Sequence, residues 1–550
     1  MSQKYTAFAS LRLLLILVLL SLRIFNVSAQ TQPGAVPYEL GIGQIIDPYL
    51  DDLAIPVMLQ GAIALPDSTT PAPLVVILHG RHAMCGVDIS TYPCEPGTEI
   101  RYDLGFIYLL EALARQGYAA MAININAALT EAYGRGDADA RAAQLMDLHL
   151  SALRDAAAGR DSGFPLALEG RINFEQMALI GHSSGGGAAL HITRQRANGG
   201  EAEDIDALLL VAAAYNALGP EGIERTGEEL YVYYSVPSDV PVATVLPDCD
   251  GDQIRFWSQI AYEAARLDPQ RTAFAASVRV FAANHNHFNT NVERGDRRFG
   301  YPPCFGETTN IMPRSDQETF LAGYTADFLA TAWGDAPASA AFDAASPAPA
   351  ALYGAAIQTN LSLPAAQRQV VVFPQTADER DTNRLGGALT LSGDAGVMFC
   401  PPGENCLAGI TTAGRFGYLR LSWAGRSVFA FALPPGAGDL SAHNFLHMRI
   451  VPDYTSTLNA AGSRLNFVVK LRDEEGSESA FIVENESILD LPLPAEYYAY
   501  QPFVLFPASV RIPLAAFTGI DLTRVSDLIV QGQESSGALL LADLELLKAE

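Results

Sequence analysis

The most constraining stretch of this chain is residues 177–197. An apolar run, Met177–Ile180, ends in Gly181-His182-Ser183-Ser184-Gly185, and a helical stretch opens at Gly186. A strand that turns into a helix within five residues must reverse so sharply that its central serine takes strained backbone geometry. Side chains at the two glycine positions would collide with neighbouring elements. The serine Oγ is thereby held clear of the sheet, above a helix N-terminus that favours developing negative charge.

The surrounding pattern supports the same unit. Strand-like runs fall at Val57–Leu65, Leu74–Leu78, Ala119–Ile125, Met177–Ile180, Ala207–Ala212, Val240–Leu246 and Val278–Ala282. Helical patterns alternate with them at Gly105–Gln116, Ala138–Ala157, Gly186–Ala197, Arg255–Leu267 and Ser315–Thr331. Buried β-rich runs separated by amphipathic helices predict an α/β domain over 36–333, a doubly wound and mainly parallel sheet. Residues 334–350 are rich in Ala, Pro and Ser and read as a semi-extended linker. Short alternating runs such as Phe445–Val451, Leu465–Leu471, Val510–Ile512 and Leu528–Gln531 predict an antiparallel β-sandwich over 351–550.

Residues 1–29 read as a cleaved signal peptide. Lys4 and Arg12 precede the apolar run Leu13–Leu22, and Val27-Ser28-Ala29 offers small residues for cleavage. The run is short for a membrane span, and the expectation is a secreted protein with no membrane attachment after cleavage. Removing Lys4, Arg12 and Arg23 with the leader leaves 32 cations against 61 acids, a net charge of −29. That surface disfavours nucleic acid as a partner. Six cysteines in an exported chain suggest disulfides. Their order invites Cys85–Cys94, Cys249–Cys304 and Cys400–Cys406, although six cysteines permit 15 connectivities.

A nucleophilic serine needs a base, an acid to orient that base, and donors for an oxyanion. In a doubly wound hydrolase these arrive from later strand ends in the order Ser, acid, His. The run Val240–Pro247 is followed by Asp248-Cys249-Asp250-Gly251-Asp252, where Asp250 best fits the usual offset and Asp252 and Asp248 are alternates. A calcium loop is a competing reading of those oxygens. The run from Val278 ends in Ala283-Asn284-His285-Asn286-His287, which makes His285 the base and His287 its rival. The His-x-His pair also reads as half a zinc site. Oxyanion donors are the backbone N–H of Ser184 and that of Arg81 in the loop His79-Gly80-Arg81-His82, with His82 as alternate.

The segment from about 55 to 331 resembles the α/β-hydrolase superfamily. It is most like the branch holding platelet-activating-factor acetylhydrolase-like, chlorophyllase-like and cutinase-type polyester hydrolases. The likeness rests on Leu78-His79-Gly80, Gly181-His182-Ser183-Ser184-Gly185-Gly186 and Asn284-His285-Asn286. It implies Ser183 as nucleophile, Asp250 as acid, His285 as base, Arg81 and Ser184 as oxyanion donors, and no cofactor or metal. The C-terminal part resembles galactose-binding-like jelly rolls through Asn383–Thr390, Arg511–Gly519 and Asp521–Leu528. Such modules often bind carbohydrate, and Trp423 and Tyr454 are candidate stacking residues, with core packing the competing role.

The resulting expectation is a serine hydrolase cleaving small or polymeric carboxylic esters through an acyl-enzyme. The alternatives are a peptidase or amidase with the same triad, and a catalytically silent protein that binds carbohydrate or a surface.

Overall fold

The computed structural model describes residues 34–548, apart from 48–49, 87, 134–136, 161, 200–204, 216–233, 297–303, 305–310, 335, 408–409, 461, 463, 485–502 and 534–535. The proposed signal peptide lies outside the described residues.

Ten strands form the first sheet. They are β1 (Val36–Asp47), β2 (Leu53–Ala64), β3 (Ala72–Leu78), β4 (Ala119–Ile123), β5 (Ile172–His182), β6 (Ala207–Val211), β7 (Val242–Pro247), β8 (Ala275–Val280), β9 (Ala351–Leu352) and β10 (Ala355–Ser362). Their spatial order is β1-β2-β4-β3-β5-β6-β7-β8-β10-β9. The six strands from β4 to β8 run parallel, and antiparallel strands flank them on both sides. Strands β4, β6, β7 and β8 are buried at every position. That is why their sequences are continuous apolar runs, with both faces covered.

The helices α1 (Ile107–Arg115), α2 (Ala138–Ala157), α3 (Ser184–Gly199), α4 (Gln259–Leu267) and α5 (Arg314–Trp333) supply the cover. Side chains alternating along β3 divide between two cores: Leu74, Val76 and Leu78 in the one with α2 and α3, Val75 and Ile77 in the one with α1 and α5. Asp137 starts α2 by accepting the N–H groups of Asp139 and Ala140, satisfying donors that have no partner inside the helix.

The second unit holds β11 (Arg368–Val372), β12 (Leu389–Cys400), β13 (Ile410–Thr412), β14 (Tyr418–Ala432), β15 (Phe445–Pro452), β16 (Phe467–Asp473), β17 (Glu478–Val483), β18 (Phe503–Leu505), β19 (Ala508–Pro513), β20 (Val525–Gly532) and β21 (Ser536–Leu547). All pair antiparallel except the short parallel pair β13 and β18. The first half of β14 pairs with β21 and the second half with β20. The β12–β14 hairpin shifts register at Ser392/Asp394, beside Gly393 (φ 73°) and Gly425 (φ 64°). The long β12–β14 ladder is therefore bent at these glycines, and the nine-stranded sheet closes over one core cluster in the manner of a β-sandwich. Trp423 is 1% exposed, and a Cβ on Gly532 or Gly537 would strike its indole. It is a core residue and offers no stacking platform.

The boundary between the units departs from the sequence reading. Residues 351–362 form β9 and β10 of the first sheet, with β10 antiparallel to β8. The 334–350 segment is packed rather than extended. Ala341, Phe342 and Ala344 are buried, with Phe342 against Phe274, Tyr324 and Phe328. Arg511 of β19 donates to the carbonyls of Asp343 (2.6 Å) and Ser346 (3.0 Å). Composition signals a linker, whereas one phenylalanine with small neighbours gives the segment an apolar side to bury.

A buried charge network joins the units. Glu263 of α4 accepts from Arg449 of β15 at 2.8 and 3.0 Å and from Arg266 at 3.2 Å. Arg449 also donates to Asp543 of β21 at 2.6 Å, and Arg266 pairs with the same carboxylate. Burial opposes the charge on Arg449, but Glu263 and Asp543 outweigh it and hold the guanidinium firmly protonated. Removing one member of such a pair leaves opposite charges buried and uncompensated. Arg449→Leu is expected to destabilise the whole chain by about 3–5 kcal/mol in denaturant unfolding. A loss below about 1 kcal/mol would show that the network does not hold the units together.

Candidate active site

Four segments at the C-terminal ends of parallel strands converge: those after β3, β5, β7 and β8. At the end of β5, Ser183 has φ 54°, a conformation that costs an ordinary residue about 1–3 kcal/mol. It persists because the chain around it leaves no alternative. A Cβ on Gly181 would lie 2.3 Å from the Gly185 carbonyl oxygen, and one on Gly185 would lie 2.4 Å from those of Leu78 and His79. The Ser183 N–H donates to Val211, and its carbonyl accepts from Gly186 and Ala214. Ser183 itself is 3% exposed.

The loop after β3 lies against it. His79 donates from Nδ1 to the Gly80 carbonyl at 2.8 Å, while its Nε2 accepts the Ile125 N–H at 2.9 Å. The bonding fixes the tautomer and marks His79 as a structural residue of the loop. A Cβ at Gly80 would sit 2.7 Å from the Ser183 Cβ. Glycine is therefore what brings the Gly80-Arg81 backbone up to the serine. The Arg81 side chain turns away, to Glu131 at 2.9 Å, which leaves only its backbone for an oxyanion. Ser184 is the first residue of α3, where N–H groups have no partner inside the helix.

The loop after β7 separates the three aspartates. Asp248 is buried in an ion pair with Arg279, at 2.9 and 2.5 Å. Asp250 accepts the N–H groups of Asp252 (2.8 Å) and Gln253 (2.5 Å) on one oxygen. With the other it accepts Nδ1–H of His285 at 2.9 Å. Asp252 projects outward, its side chain 62% exposed, with Oδ2 3.5 Å from His285 Nε2. The three carboxylates diverge, so they do not form the common cage of a calcium loop.

Following β8, His285 is completely buried. Its Nε2 makes no hydrogen bond among the described residues. His182, next to the serine, donates from Nε2 to the His285 carbonyl at 3.0 Å, and the two rings lie 4.9 Å apart. The histidine loop is therefore packed directly on the serine turn. His287 faces elsewhere, since a Cβ on Gly295 would meet its Nε2 at 2.7 Å. His285 and His287 thus do not present a shared metal half-site.

Several supports carried no sequence signal. Asp296 accepts the N–H of Gly251 (2.5 Å) on one oxygen and that of Asn286 (3.0 Å) on the other, bridging the acid and histidine loops. Gln317 of α5 accepts from the Asn284 N–H and donates to its carbonyl. The Cys249–Cys304 disulfide, one of three formed as their order suggested, lies between Asp248 and Asp250 in sequence. Cys249, Cys304, Leu246 and Phe256 pack into the same core cluster as the sandwich residues. Trp257 lines a cavity of about 50 Å³ shared with Asn405, Thr411 and Thr412 of the second unit. It faces the junction.

Burial alone would lower the His285 pKa. The charge and hydrogen bond of Asp250, followed by the charges of Asp252 and Asp296, reverse this and raise it to about 9. No family model and no curated protein matches the chain. A solved family 11 carbohydrate-binding module from Clostridium thermocellum, in complex with a β-1,3-1,4-mixed-linked tetrasaccharide, matches at 12% identity. It spans 33% of this chain and 96% of its own, with a TM-score of 0.22. At that score the likeness decides nothing about fold or ligand. No helix among the described residues is long and apolar enough to cross a membrane.

The charge argument has a direct readout. In an NMR titration the His285 imidazole is expected to change charge near pH 9. Asp252→Asn removes an anion that favours the imidazolium, so its titration moves to lower pH. A midpoint unchanged by that substitution would mean that Asp252 does not act on the ring.

Proposed function

We propose that the protein is a serine hydrolase of carboxylic esters, with Ser183 as nucleophile, His285 as base and Asp250 as the acid that orients it. One observation carries the reading: His285 is gripped through Nδ1 by Asp250, while its buried Nε2 is left without a hydrogen bond beside the strained serine turn. Supporting the likeness to the α/β-hydrolase superfamily are the parallel sheet order and the arrival of serine, acid and histidine at the ends of β5, β7 and β8.

In the proposed reaction, His285 Nε2 takes the Ser183 Oγ proton as Oγ bonds to the substrate carbonyl carbon. The carbonyl π electrons move to oxygen, where the N–H groups of Ser184 and Arg81 receive them. Collapse breaks the bond to the alcohol, which leaves with the proton from His285. Water, deprotonated by the same ring, then releases the acid and restores Ser183. Above about pH 9 the ring is neutral, and Asp250 then fixes the tautomer that presents a bare Nε2 and stabilises the imidazolium once formed. The residues of the triad supply acid, base and nucleophile without a metal or cofactor. Three disulfides suit an oxidising compartment and thus the proposed secretion.

Ser183→Ala is expected to abolish turnover of p-nitrophenyl esters while leaving thermal unfolding unchanged or slightly improved, because the strained residue carries only its Oγ into the chemistry. Asp250→Asn should lower kcat by roughly 10³–10⁴-fold through loss of the correct tautomer. An active Ser183→Ala protein would assign the chemistry to another residue. Faster turnover of aminoacyl amides than of esters would favour the peptidase reading.

A further inference from the structure

The loop after β3 carries a second histidine that the triad does not use. His82 places its Nε2 3.3 Å from the point where a Gly80 Cβ would stand, and Ser183 Oγ lies 3.3 Å from the same point. The nitrogen is shielded from solvent and has no hydrogen-bond partner among the described residues. Leaving a buried imidazole nitrogen unpaired costs stability. The ring is nonetheless packed among other rings, its centroid 4.7 Å from that of Tyr102 and 6.4 Å from that of His182. Tyr102 is itself fixed: its hydroxyl donates to the Ala83 carbonyl, and its own carbonyl accepts from Asn289. A rigid, dry, unpaired ring nitrogen beside a nucleophile has the form of a group waiting for a partner that the reaction supplies.

We infer that His82 is a side-chain donor to the substrate oxyanion, its Nε2–H adding a third hydrogen bond to those of the Ser184 and Arg81 backbones. This rests on the ester-hydrolase reading of the same site. The carbonyl attacked by Ser183 Oγ lies against the Gly80-Arg81 backbone, the same backbone that His82 Nε2 adjoins, which puts its oxygen within reach of Nε2. As Oγ bonds to the carbonyl carbon, the displaced electron pair settles on that oxygen. The His82 proton bonds to it without being transferred. A neutral donor suits this role, because it adds a dipole without placing a second cation against the developing imidazolium of His285. Burial first, and the neighbouring rings of His79 and His285 next, lower the His82 pKa to about 3 and keep the ring neutral.

The substitution that separates this role from packing is His82→Phe, which keeps a ring against Tyr102 but has no donor. With p-nitrophenyl acetate its kcat should fall about 10²-fold, the usual effect of losing one oxyanion donor, while KM changes little. His82→Gln, which restores an N–H donor, should recover a large part of that loss. Wild-type kcat in His82→Phe, or no recovery with Gln, would overturn the assignment. Ser183→Ala, measured in parallel, tests the underlying reading on its own. An inactive Ser183→Ala protein beside an unimpaired His82→Phe removes only the oxyanion role. If the wild-type protein turned over no ester, the rate of fluorophosphonate labelling at Ser183 would replace kcat, since that reaction also develops charge on an oxygen. Equal labelling rates in wild type and His82→Phe would then overturn the proposal.

Discussion

The hydrogen bond from His285 Nδ1 to Asp250 is the interaction on which the rest of the site depends. It orders one histidine out of the several near the serine and leaves that ring's second nitrogen available. The bond joins two loops from adjacent parallel strands, β7 and β8. Asp296 ties them together through two backbone N–H groups, Gln317 secures the histidine loop to α5, and Arg279 anchors Asp248 just before the acid. The Asp296 and Gln317 supports fix backbone, and the Arg279 pair fixes the Asp248 side chain. The geometry of the proposed catalytic groups is thereby transferred to the sheet, the most rigid part of the molecule.

The β-sandwich takes part in that arrangement. The disulfide behind Asp250 is packed into the sandwich core, and the buried network of Glu263, Arg266, Arg449 and Asp543 fastens α4 to β15 and β21. Gly414 of the sandwich approaches α4 so closely that a Cβ there would strike Gln259 and Glu263. Charges sealed between two units, with every partner buried, are costly to separate. The second unit therefore resembles a buttress behind the acid loop more than a module on a flexible tether.

Much of the first unit was legible in the sequence because its strands are buried on both faces. Continuous apolar runs such as Ala207–Val211 and Val242–Pro247 announce themselves, and the bounds expected for α2 coincide with those observed. The flanking strands were harder to read. Neither β1 nor β10 stood out, since β1 is half exposed and β10 carries Gln358, Thr359 and Asn360 into buried positions. Tertiary pairing overrides local pattern there, and it moved the domain boundary from 351 to beyond 362. In the sandwich, the long strands β12 and β14 are broken by glycines that read locally as turns but act as bends.

Within the site, strand order brought Ser183, the acidic run and His285 into view, because each follows an apolar run. Choosing among Asp248, Asp250 and Asp252 required knowing which neighbour each carboxylate meets. Arg279 claims the first, backbone N–H groups and His285 claim the second, and solvent takes the third. Asp296 and Gln317 had no readable signature, since their significance lies wholly in what the fold sets beside them, and His82 was legible only as an alternate oxyanion donor in the loop after β3.

The central claim is that Ser183, His285 and Asp250 form one acyl-transfer unit. Its most direct test is rapid mixing of the full-length protein with a p-nitrophenyl ester, followed by acid quench and mass analysis of the peptide containing Ser183. The account predicts a burst of p-nitrophenol approaching one equivalent per chain, with the acyl group recovered on Ser183. A burst with the acyl group on any other residue, or ester turnover with Ser183 never modified, would contradict it.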